Sequence, residues 1–318
     1  MFRYVLRRIL WMIPIIIGVT ILIFTIMYFI PGDPVSATIA GATSRDLDLA
    51  REKFGLNEPY HIRLWKYCSG IFLRFDFGTS WTFGTKVTSD LMERFPRTAL
   101  LAAVGMIFSV ILGIPLGIVA ATNRNKIPDQ ISMILSMVGV SMPPFWLAIL
   151  LVLLFSVRLN LLPTFGIGGL EYYILPSIAN CFQGVTGFAR QARSSILENI
   201  RSDYVITARA KGISESQIMW SHIIPNSMIP IITFAGAQFS RLVVGAVVIE
   251  NVFSIPGVGS YIVTAITMRD YNAVQGSIIF IAIVFALLML LVDVIYAYTD
   301  PRIKAQFERR AAGRKQHA

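Results

Sequence analysis

A chain of 318 residues that is 55% apolar and only 14% charged is too greasy for a soluble domain of its length. Its formal net charge of +10 does not require nucleic acid, because the cationic residues gather between apolar runs in the pattern that sets membrane topology. The composition predicts an all-α integral membrane protein.

Six apolar runs approach the length of about 20 residues that crosses the hydrocarbon core. They are Ile9–Ile30, Thr98–Thr122, Ile131–Val157, Tyr172–Ala189, Ile223–Ile249 and Ala273–Val292, the fourth carrying Asn180 and Gln183 inside it. The first run is too long for a signal peptide and reaches Pro31-Gly32 without a small-x-small site, so it is expected to be a retained span. With the N-terminus placed in the cytoplasm, residues 1–8, 123–130, 190–222 and 301–318 hold 16 Lys and Arg, against one each in 158–171 and 250–272. Both termini are therefore predicted to be cytoplasmic. The longer connection 31–97 holds nine Lys and Arg and eight acids, and long loops translocate largely regardless of charge. The expected divisions are a basic start and first span at 1–30, an external segment at 31–97, a membrane domain at 98–297 and a basic cytoplasmic tail at 298–318.

Taken in order, the basic start Met1–Arg8 is placed along the inner interface, and Pro14 is tolerated if neighbouring helices accept it. Ser44 to Phe54 reads as a short helix stopped by Gly55, and Asn57-Glu58-Pro59 opens another with Tyr60, Leu64, Tyr67, Cys68 and Ile71 along one stripe. That stripe is expected to pack on the membrane domain or a partner. Gly113-Ile114-Pro115-Leu116-Gly117 is a small-xxx-small pattern that permits close helix contact. Gly139 and Pro143-Pro144 predict a break in the third span, which fits cavity lining or plain packing equally. Ser254-Ile255-Pro256-Gly257-Val258-Gly259 is a turn-rich apolar motif expected to dip back towards the bilayer, sheltered by protein. The tail, with Arg302, Lys304, Arg309, Arg310, Arg314 and Lys315, is explained by topology and by attraction to anionic membrane lipid.

The polar interruption Ser202 to Asn226 does not read as slack. Ser202 and Asp203 can cap a helix through Tyr204, Val205, Ala208 and Lys211, and Gly212 can end it in the left-handed conformation. Ser214-Glu215-Ser216-Gln217 fits the capping box of a second helix running towards Pro225. By spacing alone the element fits a docking site and an ordinary connection equally.

Signatures of catalysis are missing. No G-x-x-x-x-G-K-[ST] is present to cradle ATP, no H-E-x-x-H, and no G-x-S-x-G. His61, His222 and His317 are scattered, and Cys68 and Cys181 are not expected to pair. The one ionisable residue well inside a span is Arg241. Counting Asn226–Val248 as the fifth span, it lies four residues, or roughly 6 Å, beyond the midpoint Ala237. Two readings stand: contact with a substrate carboxylate in a translocation path, or a structural contact to backbone carbonyls or an acid such as Glu250.

The loop resembles that of ATP-binding-cassette (ABC) importer permeases, whose pattern is E-A-A, three residues, Gly, nine residues, Ile-x-Leu-Pro. Ile206-Thr207-Ala208, Gly212 and His222-Ile223-Ile224-Pro225 occupy those places, matching at the second alanine, the glycine and the proline. Ile206, Thr207, His222 and Ile224 depart, so no docking role for a glutamate carries over. Tyr204 with Thr207-Ala208-Arg209-Ala210-Lys211-Gly212 is closer to the dipeptide, oligopeptide and nickel branch. That resemblance continues through Leu6-Arg7-Arg8, Pro31-Gly32-Asp33-Pro34, Phe54-Gly55-Leu56-Asn57, Asp76-Phe77-Gly78, Ile249-Glu250, Pro256-Gly257-Val258-Gly259, Arg269-Asp270-Tyr271 and Asp300-Pro301-Arg302.

The resemblance implies a type I ABC importer permease with six transmembrane helices and a cytoplasmic coupling loop at 190–222. It implies a heterodimer with a second, homologous permease subunit, two cytoplasmic ABC ATPase subunits and an external substrate-binding protein, with no nucleic acid. ATP and Mg would be held by the ATPase partners and no cofactor by this chain. The expected ATPase-coupling residues are Tyr204, Val205, Thr207, Ala208, Ala210, Gly212 and Pro225, with Tyr204 and Val205 anchoring in a partner groove and the small residues admitting its surface. Arg241 is the candidate in the translocation path. Di- or oligopeptides are the expected substrates; a nickel or metal chelate is the alternative within the family, and a secondary transporter the rival outside it.

Overall fold

The structure is a computed structural model that describes residues 2–31 and 43–299, with side chains for 5–31 and 43–295. Gly32-Asp33-Pro34, the motif Asp300-Pro301-Arg302 and the basic tail lie outside the described residues. The chain is helical in the order α1 (Phe2–Phe29), α2 (Ser44–Lys53), α3 (Tyr60–Arg74), α4 (Val87–Thr122), α5 (Ile127–Ser141), α6 (Pro144–Leu151), α7 (Glu171–Ile200), α8 (Asp203–Ala210), α9 (Glu215–Ile218), α10 (Ile224–Val252), α11 (Val258–Thr267) and α12 (Tyr271–Thr299). Among the described residues the only β feature is an isolated bridge between Thr79 and Lys86.

Among the described residues four continuous helical stretches are long and apolar enough to cross a bilayer: Val5–Phe29, Val87–Thr122, Glu215–Val252 and Tyr271–Ile295. A fifth candidate is α5 with α6 and its wider π-helical continuation to Arg158, which meet at 102°. The Pro143-Pro144 signal therefore produces a near right angle, because neither proline supplies the N–H that would carry the helix through. The carbonyl of Met142 at that corner accepts a hydrogen bond from Gln183 Nε2 at 3.3 Å. The fourth apolar run lies in α7, which at 30 residues is about 45 Å long but more polar than the others.

α7 is the axis of the bundle. Its residues 185–192 lie against Gly113 and Gly117 of α4, where an added Cβ would come within 2.6 Å of the carbonyl oxygens of Val185 and Ala189. The small-xxx-small pattern thus works as expected, by removing side chains where two backbones meet. On its other flank α7 runs antiparallel to α10: Asn180 donates to the carbonyl of Leu242 at 3.5 Å, and Ser195 to that of Ser227 at 3.1 Å. Gly236 of α10 leaves room for Val292 of α12. α12 returns beside α1, where Arg8 and Asp293 pair at 2.9 Å.

Residues 43–86 pack as the stripe predicted. Thr43 and Asp46 close a capping box on α2, and Gly55 has φ +65 beyond its end. Tyr60 and Tyr67 of α3 set their rings 5.8 and 5.5 Å from Phe24 of α1, the Tyr60 hydroxyl bonds Thr25 at 2.7 Å, and Ile71 is buried. The turn-rich motif 254–259 folds over the end of α10 and starts α11, which packs on α4 and α12. Beneath it the buried Glu250 carboxylate accepts from Thr98 Oγ1 at 2.6 Å and from the Ser260 N–H at 3.0 Å. Glu250 is thus not simply left at a span end: it joins α4, α10 and α11.

Candidate functional site

At the end of the bundle opposite Glu250, the chain leaves α7, forms α8 and turns back into the 38-residue helical stretch that begins with α9. The end of α8 is a Schellman motif: the Gly212 N–H donates to the carbonyl of Arg209 at 2.9 Å and the Ile213 N–H to that of Ala208 at 3.3 Å. Gly212 sits at φ +75, the conformation the motif requires. Ser202 takes the N-cap position without a side-chain hydrogen bond, whereas Ser214 Oγ accepts the Gln217 N–H at 3.4 Å. The second helix does not stop near Pro225. A π-turn over Met219–Ile223 carries it into α10, and Pro225, which has no N–H to give to the ladder, follows directly on that wider turn. α9 is therefore continuous with α10, and α8 is joined to both through the Gly212 turn.

The exposed face of α8 differs from the expected one. Val205 and Ala208 point inward and are buried with Ala121 of α4, Ile196 of α7 and Ile218 and Ile223. Val205, expected to anchor in a partner groove, and Ala208, expected to admit a partner surface, are instead turned into this chain's own bundle and fix the loop to it. Exposed instead are Tyr204, Ile206, Thr207, Arg209, Ala210, Lys211 and Gly212. Tyr204 is tethered through its hydroxyl to Asn199 at 2.9 Å, which keeps α8 registered against α7. Arg209 bonds Glu215 twice, at 2.6 and 3.1 Å, across the Gly212 turn, and the carboxylate pushes the guanidinium pKa above its ordinary value. A cleft of about 520 Å³ beside the loop is lined by Arg124, Arg201, Arg209 and Trp220.

A second ion pair at this end has no forerunner in the sequence pattern. Arg193 of α7 grips Asp129 of α5 through two bonds of 2.6 and 2.8 Å, and Asp129 also accepts the Asn125 N–H at 2.9 Å. Asp129 is buried, so this pair locks the turn between α4 and α5 onto α7. Its members stand 64 residues apart, and no local pattern announces them.

Arg241 is exposed on α10 and does not meet Glu250, whose acceptors are occupied by Thr98 and Ser260. Its guanidinium lies over the ring of Phe234, 5.3 Å from the centroid. It lines a cavity of about 240 Å³ together with Asn180, Gln183, Arg190, Gln238 and Phe234, and the break at Pro144 forms one wall. A guanidinium inside a span costs at least about 3 kcal/mol against lipid, so a polar cavity is where it belongs. Asn180 and Gln183, which make the fourth run the least apolar, are accounted for by this cavity and by the broken helix beside it. Among the described residues no group of three or more His, Cys, Asp or Glu is placed to hold a metal ion.

Residues 113–305 match the family described as binding-protein-dependent transport system inner membrane component. Residues 1–102 match the family described as the N-terminal part of the binding-protein-dependent transport system membrane component. The chain is 40% identical over 306 residues to the glutathione transport system permease protein GsiC of Salmonella paratyphi A, covering 96% of this chain and 99% of that protein. Identity to GsiC of Escherichia coli K12 is 39%, with the same coverage. Among solved structures, a chain of the inward-facing MetNI methionine ABC transporter superposes with a TM-score of 0.55 at 16% identity, over 66% of this chain and 96% of that one, a likeness of fold. The chain belongs to the binding-protein-dependent transport system inner membrane component family, as a peptide-type ABC importer permease subunit.

Proposed function

We propose that this chain forms half of the transmembrane path of an ATP-driven importer that moves small peptides inward across the bacterial inner membrane. The observation that carries the reading is the match to GsiC over nearly the full length of both chains, joined to the outward face of α8. α7 supplies the sixth span. Both termini and the 190–222 loop face the cytoplasm, as the distribution of Lys and Arg favours. The division at residues 30, 97 and 297 follows from that topology. A homologous permease completes the path, an external binding protein delivers the substrate, and two ATPase subunits hold ATP and Mg.

The mechanism follows from continuity of the backbone. This chain contains no phosphate-cradling loop, so work arrives through contact. Closure of the ATPase pair on ATP pushes Tyr204, Thr207, Ala210 and Gly212, while the inward Val205 and Ala208 keep the push from being lost in loop motion. The π-turn passes it into α10, which carries Arg241. Rocking of α10 against the other permease then exposes the cavity to alternate sides.

Reconstitution in proteoliposomes tests the reading. The complete transporter with its binding protein is expected to accumulate glutathione only with ATP, and this chain alone to show neither hydrolysis nor uptake. Uptake by the chain alone would make it a secondary carrier. Uptake of a nickel chelate with none of glutathione or other peptides would move it to the other substrate class of its branch.

A further inference from the structure

The cavity beside the helix break contains a second arginine, and the geometry of two antiparallel helices brings the pair together. Asn180 meets Leu242, Gly184 approaches Gln238, Gly187 faces Phe234 and Ser195 meets Ser227, so each step along α7 is matched by a step back along α10. In that register Arg241 is level with Cys181 and Arg190 with Ile232. The two Cα atoms are offset by nine residues, or about 13 Å along the axes. Helical side chains lean towards their own N-termini. Arg190 on α7 therefore leans towards the Glu250 end and Arg241 on α10 towards the loop end. Both lean towards the level of Gly187 and Phe234, and the Arg241 guanidinium already lies over the Phe234 ring.

Among the described residues no Asp or Glu lines this cavity. Among the described residues neither arginine is ion-paired. Phe234 is held edge-on by Phe188 at 4.9 Å and fits only because residue 187 has no side chain. Two uncompensated guanidinium groups leaning together in a cavity with three side-chain amides form a site for an anion whose remaining polar groups are amide-like.

We propose that Arg190 and Arg241 form a two-point carboxylate clamp, and that the importer selects small peptides bearing two carboxylates. The choice of a peptide rests on the importer reading; the clamp rests on the cavity. Guanidinium matches a carboxylate through two parallel hydrogen bonds, which a peptide ester or amide cannot reproduce. The amides of Gln183 and Gln238 line the same cavity and are the partners this clamp offers to the peptide groups between the two carboxylates.

The test compares glutathione with its diester as probes of the purified full-length chain in neutral detergent, read as a ligand-induced thermal shift, and of the assembled transporter, read as uptake. The wild-type chain is expected to prefer glutathione. Arg190→Gln and Arg241→Gln are each expected to weaken glutathione binding about 10- to 100-fold with little change for the diester, and Arg→Lys at either position to restore part of the preference. Equal loss of both probes, unchanged glutathione binding in the Gln variants, or no wild-type preference overturns the clamp. So does a shift produced only by phosphatidylglycerol, which would make the cavity a lipid-phosphate site. If a Gln variant does not fold, the Lys variant decides, since loss of all preference with the cation retained also overturns it. A chain that binds glutathione while the assembled transporter imports no peptide refutes the importer reading and leaves the clamp standing. Peptide import without preference for the free acids refutes the clamp alone.

Discussion

Thr98 donates its hydroxyl proton to Glu250 at 2.6 Å and accepts the N–H of Val258 at 2.9 Å with the same oxygen. One hydroxyl thus joins three helices around a buried carboxylate. Gly257 and Gly259 are required there, because an added Cβ at 257 would overlap that carboxylate and one at 259 would strike the Val247 backbone first and the carboxylate next. Thr98→Val preserves shape and removes both bonds, leaving one Glu250 oxygen and one N–H unsatisfied. It is expected to destabilise the purified chain by about 2 kcal/mol, seen as earlier heat-induced loss of the monodisperse peak, and Thr98→Ser is expected to restore most of it. Equal stability of the Val variant would mean the carboxylate finds another donor.

The Asp129–Arg193 pair makes a similar statement at the opposite end. Asp129→Asn leaves the guanidinium without its counter-charge, and Arg193→Met leaves a buried carboxylate facing an apolar chain. Each single change is expected to cost about 3 kcal/mol, with the carboxylate orphaned by Arg193→Met the costlier. The double variant is expected to be more stable than Arg193→Met alone, since neither charge is then left over. Thermal unfolding of the four proteins of the cycle reads this directly; strictly additive losses would deny the pair its coupling.

Much of this architecture was legible because its signals are local. Gly55 and Gly212 end helices where a left-handed residue is needed, Gly113 and Gly117 repeat at the spacing that exposes a backbone, and Pro143-Pro144 cannot continue a helix. What escaped depends on register. Whether Val205 of an eight-residue helix faces its own bundle or a partner is settled by how α8 sits on α4 and α7, and hydropathy along two turns does not encode it. Arg190 reads in sequence as one more topology-setting cation after the fourth run. Its relation to Arg241 emerges only when the antiparallel alignment of α7 and α10 is known.

Gly117→Ala tests the close approach of α4 and α7. Its new methyl would meet the carbonyl of Ala189 and the Cβ of Ala192 at 2.6 Å, with the Arg193 backbone nitrogen at 3.1 Å. Two of those three are backbone atoms that no rotamer change can move, so α4 and α7 must separate. A cost of about 1–3 kcal/mol is expected, with lowered yield of the folded chain. Gly18 is the control, because a methyl added there would have nothing within 4 Å, and Gly18→Ala is expected to be silent. Equal behaviour of the two variants would show that the helices are not in close contact there.

Gly212 separates the docking role of the loop from its fold. An added side chain there would meet nothing within 4 Å, so any penalty comes from the backbone at φ +75 and not from collision. Gly212→Val places a β-branched residue where only a left-handed conformation closes the Schellman motif, at a cost of about 1–2 kcal/mol or more. Gly212→Asn tolerates that conformation and keeps the turn. The Val variant is expected to insert normally, since α10 and its packing on α7 lie elsewhere, but to lose the register between Arg209 and Glu215 that holds α8 over α9. ATP-driven uptake and co-purification of the ATPase subunits are then expected to fall by about tenfold, the factor that 1.4 kcal/mol represents, while Gly212→Asn stays near wild type. If both variants bind the ATPase normally and only the Val variant transports poorly, the turn transmits motion without forming the contact. If both transport normally, α8 is only a connection between α7 and α10.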